Sequence, residues 1–280
     1  MMNDKNDEKK SQFSIGIPQW CYEEKNLQSL EAADSLNVRY IQIDLGDSPN
    51  GYHFSKYELQ DEFLKKASDK KITVLAMALN DLCRFGFTKE EHKATAYETL
   101  RKGIEAARRM KIPALTIPNF FDNEIISKED FNRTVEAFKY LCDLAEKFNI
   151  DIYTENVMKP DSLFEFITLV PSSKLKLLFD NQNYYAMRGY DPIMIFKQLE
   201  KSVDMGAFIH IKDGDKKLGS SLLTEGSGEV VKFTEILKQR NYQGTIFIEN
   251  NYTSIGLKAK RNTRELIEKD ILTLKKLMKT

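Results

Sequence analysis

The stretch AFIHIKDGD, residues 207–215, decides how this chain folds. Phe208, Ile209 and Ile211 are what a buried strand wants, yet His210 sits among them. Side chains alternate across a strand, so His210 and Lys212 face away from Ile209 and Ile211. The whole chain has only three histidines, and one inside a strand asks what else shares its face.

Similar β-branched or aromatic runs recur along the 280 residues. They predict strands at 13–17, 40–44, 72–79, 114–119, 150–156, 175–180, 207–212 and 245–250. Helical patterns lie between them at 27–36, 55–69, 88–110, 128–148, 161–169, 192–202, 230–240 and 263–279. Thr88 with Glu91 and Ser127 with Asp130 read as helix starts, and Pro113, Pro160 and Pro192 mark boundaries. Setting residues 1–12 aside as a disordered tail, each strand–helix unit takes about 33 residues, the scale of a (β/α)8 barrel. The expected fold class is therefore α/β, a single (β/α)8 TIM barrel over residues 13–280. A doubly wound open sheet is the alternative, but no GxGxxG follows the first strand and no linker divides the chain.

Parity then orients the last four strands. Ile150 and Ile152 share one face of the fifth, with Tyr153 and Glu155 on the other. Leu177 and Phe179 oppose Asp180, and Ile246 and Ile248 oppose Glu249. Four consecutive strands thus deliver Glu155, Asp180, His210 and Glu249 to the C-terminal mouth, where barrels of this kind carry their active sites.

Composition limits the partners. Lys and Arg together number 42, as do Asp and Glu, so the formal net charge is zero. That argues against nucleic acid or an anionic membrane as a partner found by charge. The start MMNDKNDEKKSQ has no apolar core, and the longest apolar run, Val74 to Leu79, is far too short to span a bilayer. Three scattered cysteines, Cys21, Cys83 and Cys142, read as reduced thiols, so a cytoplasmic location is expected.

Three carboxylates converging in a small cavity repel one another and resist desolvation. One divalent metal ion resolves this. Oxygen-rich ligation with a single imidazole suits Mn2+ or Mg2+, with Co2+, Fe2+ and Zn2+ also compatible. Around such a centre, Lys212 shares the face of His210 and can reach substrate oxygens, with a salt-bridged lysine at the rim as the alternative. Trp20, just past the first strand, can stack on the apolar face of a ligand or serve as a buried anchor, and Asn119 lies at the fourth strand's end. Gly226-Ser227-Gly228 reads as a simple turn, with phosphate binding by its N–H groups as the alternative. His53 and His92 lack ligand spacing and read as surface residues.

The segments TEN (154–156), LLFDNQN (177–183), FIHIKDG (208–214) with EGSGEV (225–230), and IFIEN (246–250) resemble the xylose isomerase-like TIM barrel superfamily. Sugar and sugar-phosphate isomerases and epimerases belong to it, as do inosose and dehydroshikimate dehydratases and endonuclease IV. The resemblance implies Glu155, Asp180, His210 and Glu249 as metal ligands, with Glu155 and Glu249 also moving the proton. It implies a sugar or polyol substrate, an enediolate on the path, and a homodimer or homotetramer. The dehydratase chemistry is the alternative on the same scaffold. Ketose epimerases often have a histidine three residues after the aspartate; Asn183 stands there and becomes a substrate-binding candidate. Endonuclease IV needs several more histidines than this chain has.

Overall fold

A computed structural model describes residues 13–279. The expected tail, residues 1–12, lies outside the described residues. Eight parallel strands form one sheet: β1 (Ser14–Pro18), β2 (Tyr40–Asp44), β3 (Thr73–Ala78), β4 (Ala114–Pro118), β5 (Asp151–Glu155), β6 (Leu175–Leu177), β7 (Phe208–Ile211) and β8 (Thr245–Ile248). Helices α1 (Leu27–Ser35), α2 (Tyr57–Asp69), α3 (Lys93–Met110), α4 (Lys128–Phe148) and α5 (Pro160–Leu169) follow the first five strands. The second half carries α6 (Asn181–Arg188), α7 (Pro192–Leu199), α8 (Val230–Gln239), α9 (Tyr252–Ala259) and α10 (Thr263–Met278). This is the (β/α)8 barrel that the alternation predicts.

The sheet runs β6-β5-β4-β3-β2-β1-β8-β7, so closure falls between β6 and β7. Only an isolated parallel bridge, Asp180 to His210, joins them, with the His210 N–H donating to the Phe179 carbonyl at 2.9 Å. The seam of the barrel therefore sets two of the candidate ligands side by side.

Parity sorts the core into two layers, as expected. Ile152, Leu177, Phe179, Ile209, Ile211, Ile246 and Ile248 pack outward with the helices. Ala76, Ala114, Tyr153, Leu178, Phe208 and Phe247 fill the barrel. Tyr153 stacks on Phe208 at 4.1 Å, and Phe208 meets Phe247 edge-on at 5.5 Å. This aromatic plug is a dry floor beneath the mouth. Gly16 makes room for it: a Cβ there would lie 2.3 Å from Cε1 of Phe247. Gly16→Ala is expected to cost about 1–3 kcal/mol by overpacking, read as a lower denaturation midpoint. An unchanged midpoint would show that the ring has space to shift.

Local signals explain most boundaries. Ser127 and Asp130 form the reciprocal capping box at the start of α4. The start predicted at Thr88 is wrong: α3 begins at Lys93, and the Thr88 hydroxyl donates instead to the Asp122 carbonyl at 2.8 Å. Both α6 and α9 lie outside the helical patterns of the sequence. The strand predicted at 175–180 pairs as a ladder only to Leu177.

Candidate metal centre

Glu155 ends β5, Asp180 caps α6, His210 lies within β7 and Glu249 directly follows β8. Each offers one donor atom, and these atoms all lie within 4.8 Å of one another. His210 Nδ1 is 3.3 Å from Glu249 Oε2 and 4.0 Å from Glu155 Oε1. His210, Asp180 and Glu155 are buried, and Glu249 is nearly so.

The bonds these groups already make show which atoms remain. Asp180 Oδ1 accepts the N–H groups of Gln182 and Asn183 at 2.8 and 2.9 Å, as the N-cap of α6. Its Oδ2 has no hydrogen-bond partner among the described residues. His210 Nε2 lies 2.8 Å from Gln42 Oε1, while Nδ1 likewise has no hydrogen-bond partner. Lys212 and Glu249 approach these two atoms at 3.2 and 3.3 Å without hydrogen-bond alignment. Buried polar atoms without partners are rare. Two of them, converging with two glutamates, fit a divalent cation bound mainly through oxygen.

The charges are strongly coupled. Burial, reinforced by Glu249, pushes the Glu155 carboxyl up to about 7. Burial acts the same way on Glu249, but Lys212 and His210 outweigh it and hold that group well below the usual carboxylate range. Burial opposes protonation of His210, yet Glu249, Glu155 and Asp180 outweigh it and raise its proton affinity. Lys212 is also desolvated, but Asp180, Glu249 and Glu155 keep it charged. Its Nζ lies 2.6 Å from Glu249 Oε2 and 3.2 Å from Asp180 Oδ2.

Neutral donors steady the two glutamates. Trp20 Nε1 donates to Glu249 Oε1 at 2.9 Å, and Asn183 Nδ2 donates to Glu155 Oε1 at 2.7 Å. Trp20, Asn183 and Lys212 thus stand against the four donors. Asn119 does not. Its side chain shares the outward face of β4, where Oδ1 accepts from the Thr154 hydroxyl at 3.3 Å. It lines a side cavity of about 340 Å³ with Lys159 and Arg188, and Arg188 is paired to Glu124.

Two further sequence readings are settled by local contacts. The Asp213 carboxylate accepts the N–H groups of Gly214, Thr224, Gly226 and Gly228 at 2.8–3.1 Å. The glycine stretch is therefore a turn folded onto Asp213, and those N–H groups are not free for phosphate. His53 is half-buried against Phe54 rather than on the surface, and His92 packs on Phe85. Sequence reading missed Gln42, although parity marks it: Gln42 opposes Ile41 and Ile43 and so points into the barrel.

The architecture is an eight-stranded barrel with a cluster of three carboxylates and one imidazole at its C-terminal mouth. The chain belongs to the xylose isomerase-like TIM barrel family, whose model matches residues 30–277. It is 27% identical over 217 residues to the 2-epi-5-epi-valiolone 7-phosphate 2-epimerase of Actinoplanes sp., covering 77% of this chain and 78% of that protein. A D-tagatose 3-epimerase-like protein of solved structure superimposes with a TM-score of 0.73 at 18% identity, over 95% of this chain and 98% of the other. The IolI protein, solved with a zinc atom, gives a TM-score of 0.72 at 18% identity, over 95% and 98% of the two chains. Among the described residues, no helix is long and apolar enough to cross a membrane.

Proposed function

We propose that this chain is a divalent-metal-dependent epimerase or isomerase of a small sugar or sugar phosphate. One observation carries the reading: Asp180 Oδ2 and His210 Nδ1, both buried and without a hydrogen-bond partner among the described residues, converge with Glu155 and Glu249 within 4.8 Å. The likeness to a 2-epi-5-epi-valiolone 7-phosphate 2-epimerase supports the reaction class.

Glu155, Asp180, His210 and Glu249 would hold the metal. When bound, it supplies Lewis-acid polarisation that acidifies a carbon-bound proton beside a carbonyl. Glu155 and Glu249 come from strands on different sides of the cluster, so the two carboxylates can serve two faces of a substrate between them. One takes the proton as general base and the other returns a proton. Return to the opposite face of the same carbon gives an epimer; return to the neighbouring carbon gives an isomer. Trp20 and Asn183 each occupy one carboxylate oxygen and so fix the other's direction. The Lys212 ammonium, beside Asp180 and Glu249, is placed to stabilise negative charge developing on a substrate oxygen. The aromatic floor keeps bulk water from entering from below.

Metal-stripped protein, assayed in D2O with a panel of ketoses, ketose phosphates and cyclitol ketones, tests this. Turnover should vanish on stripping and return with Mn2+ or Mg2+. Product should carry deuterium at one carbon with its mass otherwise unchanged. Turnover indifferent to metal would defeat the proposal. Loss of one water from the product would instead identify a dehydratase.

A further inference from the structure

Gln42 lies in the middle of β2 on the inward face, and it is wholly buried. β2 is separated from β7 by β1 and β8, yet Gln42 Oε1 reaches His210 Nε2 at 2.8 Å across the barrel interior. On its other side, Gln42 Nε2 donates to Thr116 Oγ1 in β4 at 2.7 Å. His210, Gln42 and Thr116 are each no more than 2% exposed, so bulk solvent does not reach these bonds. The amide is thus engaged at both ends, and as placed its oxygen faces Nε2.

That orientation has a chemical consequence. A neutral imidazole carries its proton on one nitrogen, and the partner of that nitrogen decides which. An amide oxygen can only accept, so Nε2 must carry the hydrogen. Nδ1, which faces Glu249 and Glu155, is then left with its lone pair. The reversed amide would donate to Nε2 and put the proton on Nδ1, which could not then bind a cation. We propose that Gln42, braced by Thr116, is a positioning residue that fixes the His210 tautomer and ring direction for cation binding at Nδ1. This rests on the metal reading above. The contact is of the kind that tunes ligand basicity from beyond the coordinating atoms.

Zinc affinity and the imidazole nitrogen spectrum test it together, without any substrate. With three histidines in the chain, the 15N-edited ring signals are few enough to assign. Zinc-loaded wild type should show the proton on Nε2 of His210 and a metal-shifted Nδ1. Gln42→Leu should weaken zinc binding about 10–100-fold and disturb that ring signature. Gln42→Glu, which still accepts from Nε2, should preserve both. Thr116→Val, which frees the amide to rotate, should give an intermediate loss. A wild-type spectrum with the proton on Nδ1 would overturn the proposal, and so would Gln42→Leu binding zinc as wild type does with its ring signals unmoved. Should Gln42→Leu fail to fold, the Thr116→Val affinity and the wild-type spectrum decide by the same criteria. Wild type that binds no zinc would end the metal reading. At pH 9, an Nε2 proton in that protein that Thr116→Val disturbs would still support the contact, and an Nδ1 proton would remove it.

Discussion

Glu155→Gln is expected to slow exchange of the substrate's carbon-bound proton about 10³-fold or more, near the upper range for loss of a general base. The fold should survive, because Gln keeps the shape of Glu and its carbonyl can still accept from Asn183 Nδ2. The variant should in fact be more stable than wild type when both are metal-free. Burial and Glu249 push the Glu155 carboxyl up to about 7. A raised carboxylate pKa means that the folded state holds its proton longer than the unfolded one. Stability is therefore lost as pH rises from about 4.5, the unfolded value, through about 7. Above that window the ionised carboxylate burdens the fold, and Gln removes the burden. A gain of about 1–3 kcal/mol at pH 8, fading toward pH 4, is expected from denaturant titrations. Proton exchange is read by NMR in D2O at saturating metal. An exchange rate within tenfold of wild type would remove Glu155 from the proton-transfer role. Lower stability at pH 8 would show that its charge is already compensated in the folded protein.

Much of this site was legible in the chain because polar residues inside strands break the apolar rule. Glu155, Asp180, His210 and Glu249 each sit opposite outward-packing residues, and the same parity governs the observed layers. Gln42 obeys the identical rule in YIQID, but a neutral amide draws less notice than a histidine. The seam between β6 and β7 was not legible, since the chain leaves the ladder at Leu177 while the residues stay apolar. Helix α6 was missed because NQNYYAMR has no strong helical pattern; its first N–H groups are held by the Asp180 cap. Parity with Leu115 and Ile117 already turned Asn119 away from the four donors, and its amide bonds to Thr154 and Asn123 instead. At Thr88 a sound capping residue is drawn off by a tertiary partner, the Asp122 carbonyl.

The same limit of local reading applies at Asp213, where the second large effect is expected. Its carboxylate gathers four N–H groups from the segment between β7 and α8 and is itself 1% exposed. Asp213 also anchors its own backbone, accepting from Ser221 N–H at 3.1 Å and donating to Asn250 Oδ1 at 2.9 Å. Asn250 in turn donates to Asp270, which also holds Leu223 and Tyr252. Gly226 is required by closeness: a Cβ there would lie 2.4 Å from the Gly214 nitrogen. Asp213→Asn would turn an NH2 group toward two of the four donors, and Asp213→Ala would strip all four. Each donor left buried and unmatched costs about 1–3 kcal/mol, with some of that recovered if water enters. A net loss of at least about 3 kcal/mol is expected for either variant, together with faster amide exchange at Thr224, Gly226 and Gly228. Lys212 is next in the chain, its backbone clasped on both sides by Asn181 at 3.0 and 3.1 Å. Loosening Asp213 should therefore reach the ammonium that lies against Glu249 and Asp180, and lower turnover in protein that remains folded. If the amides exchange as in wild type and the denaturation midpoint holds, the loop is fastened elsewhere and the Asp213 carboxylate is not its anchor.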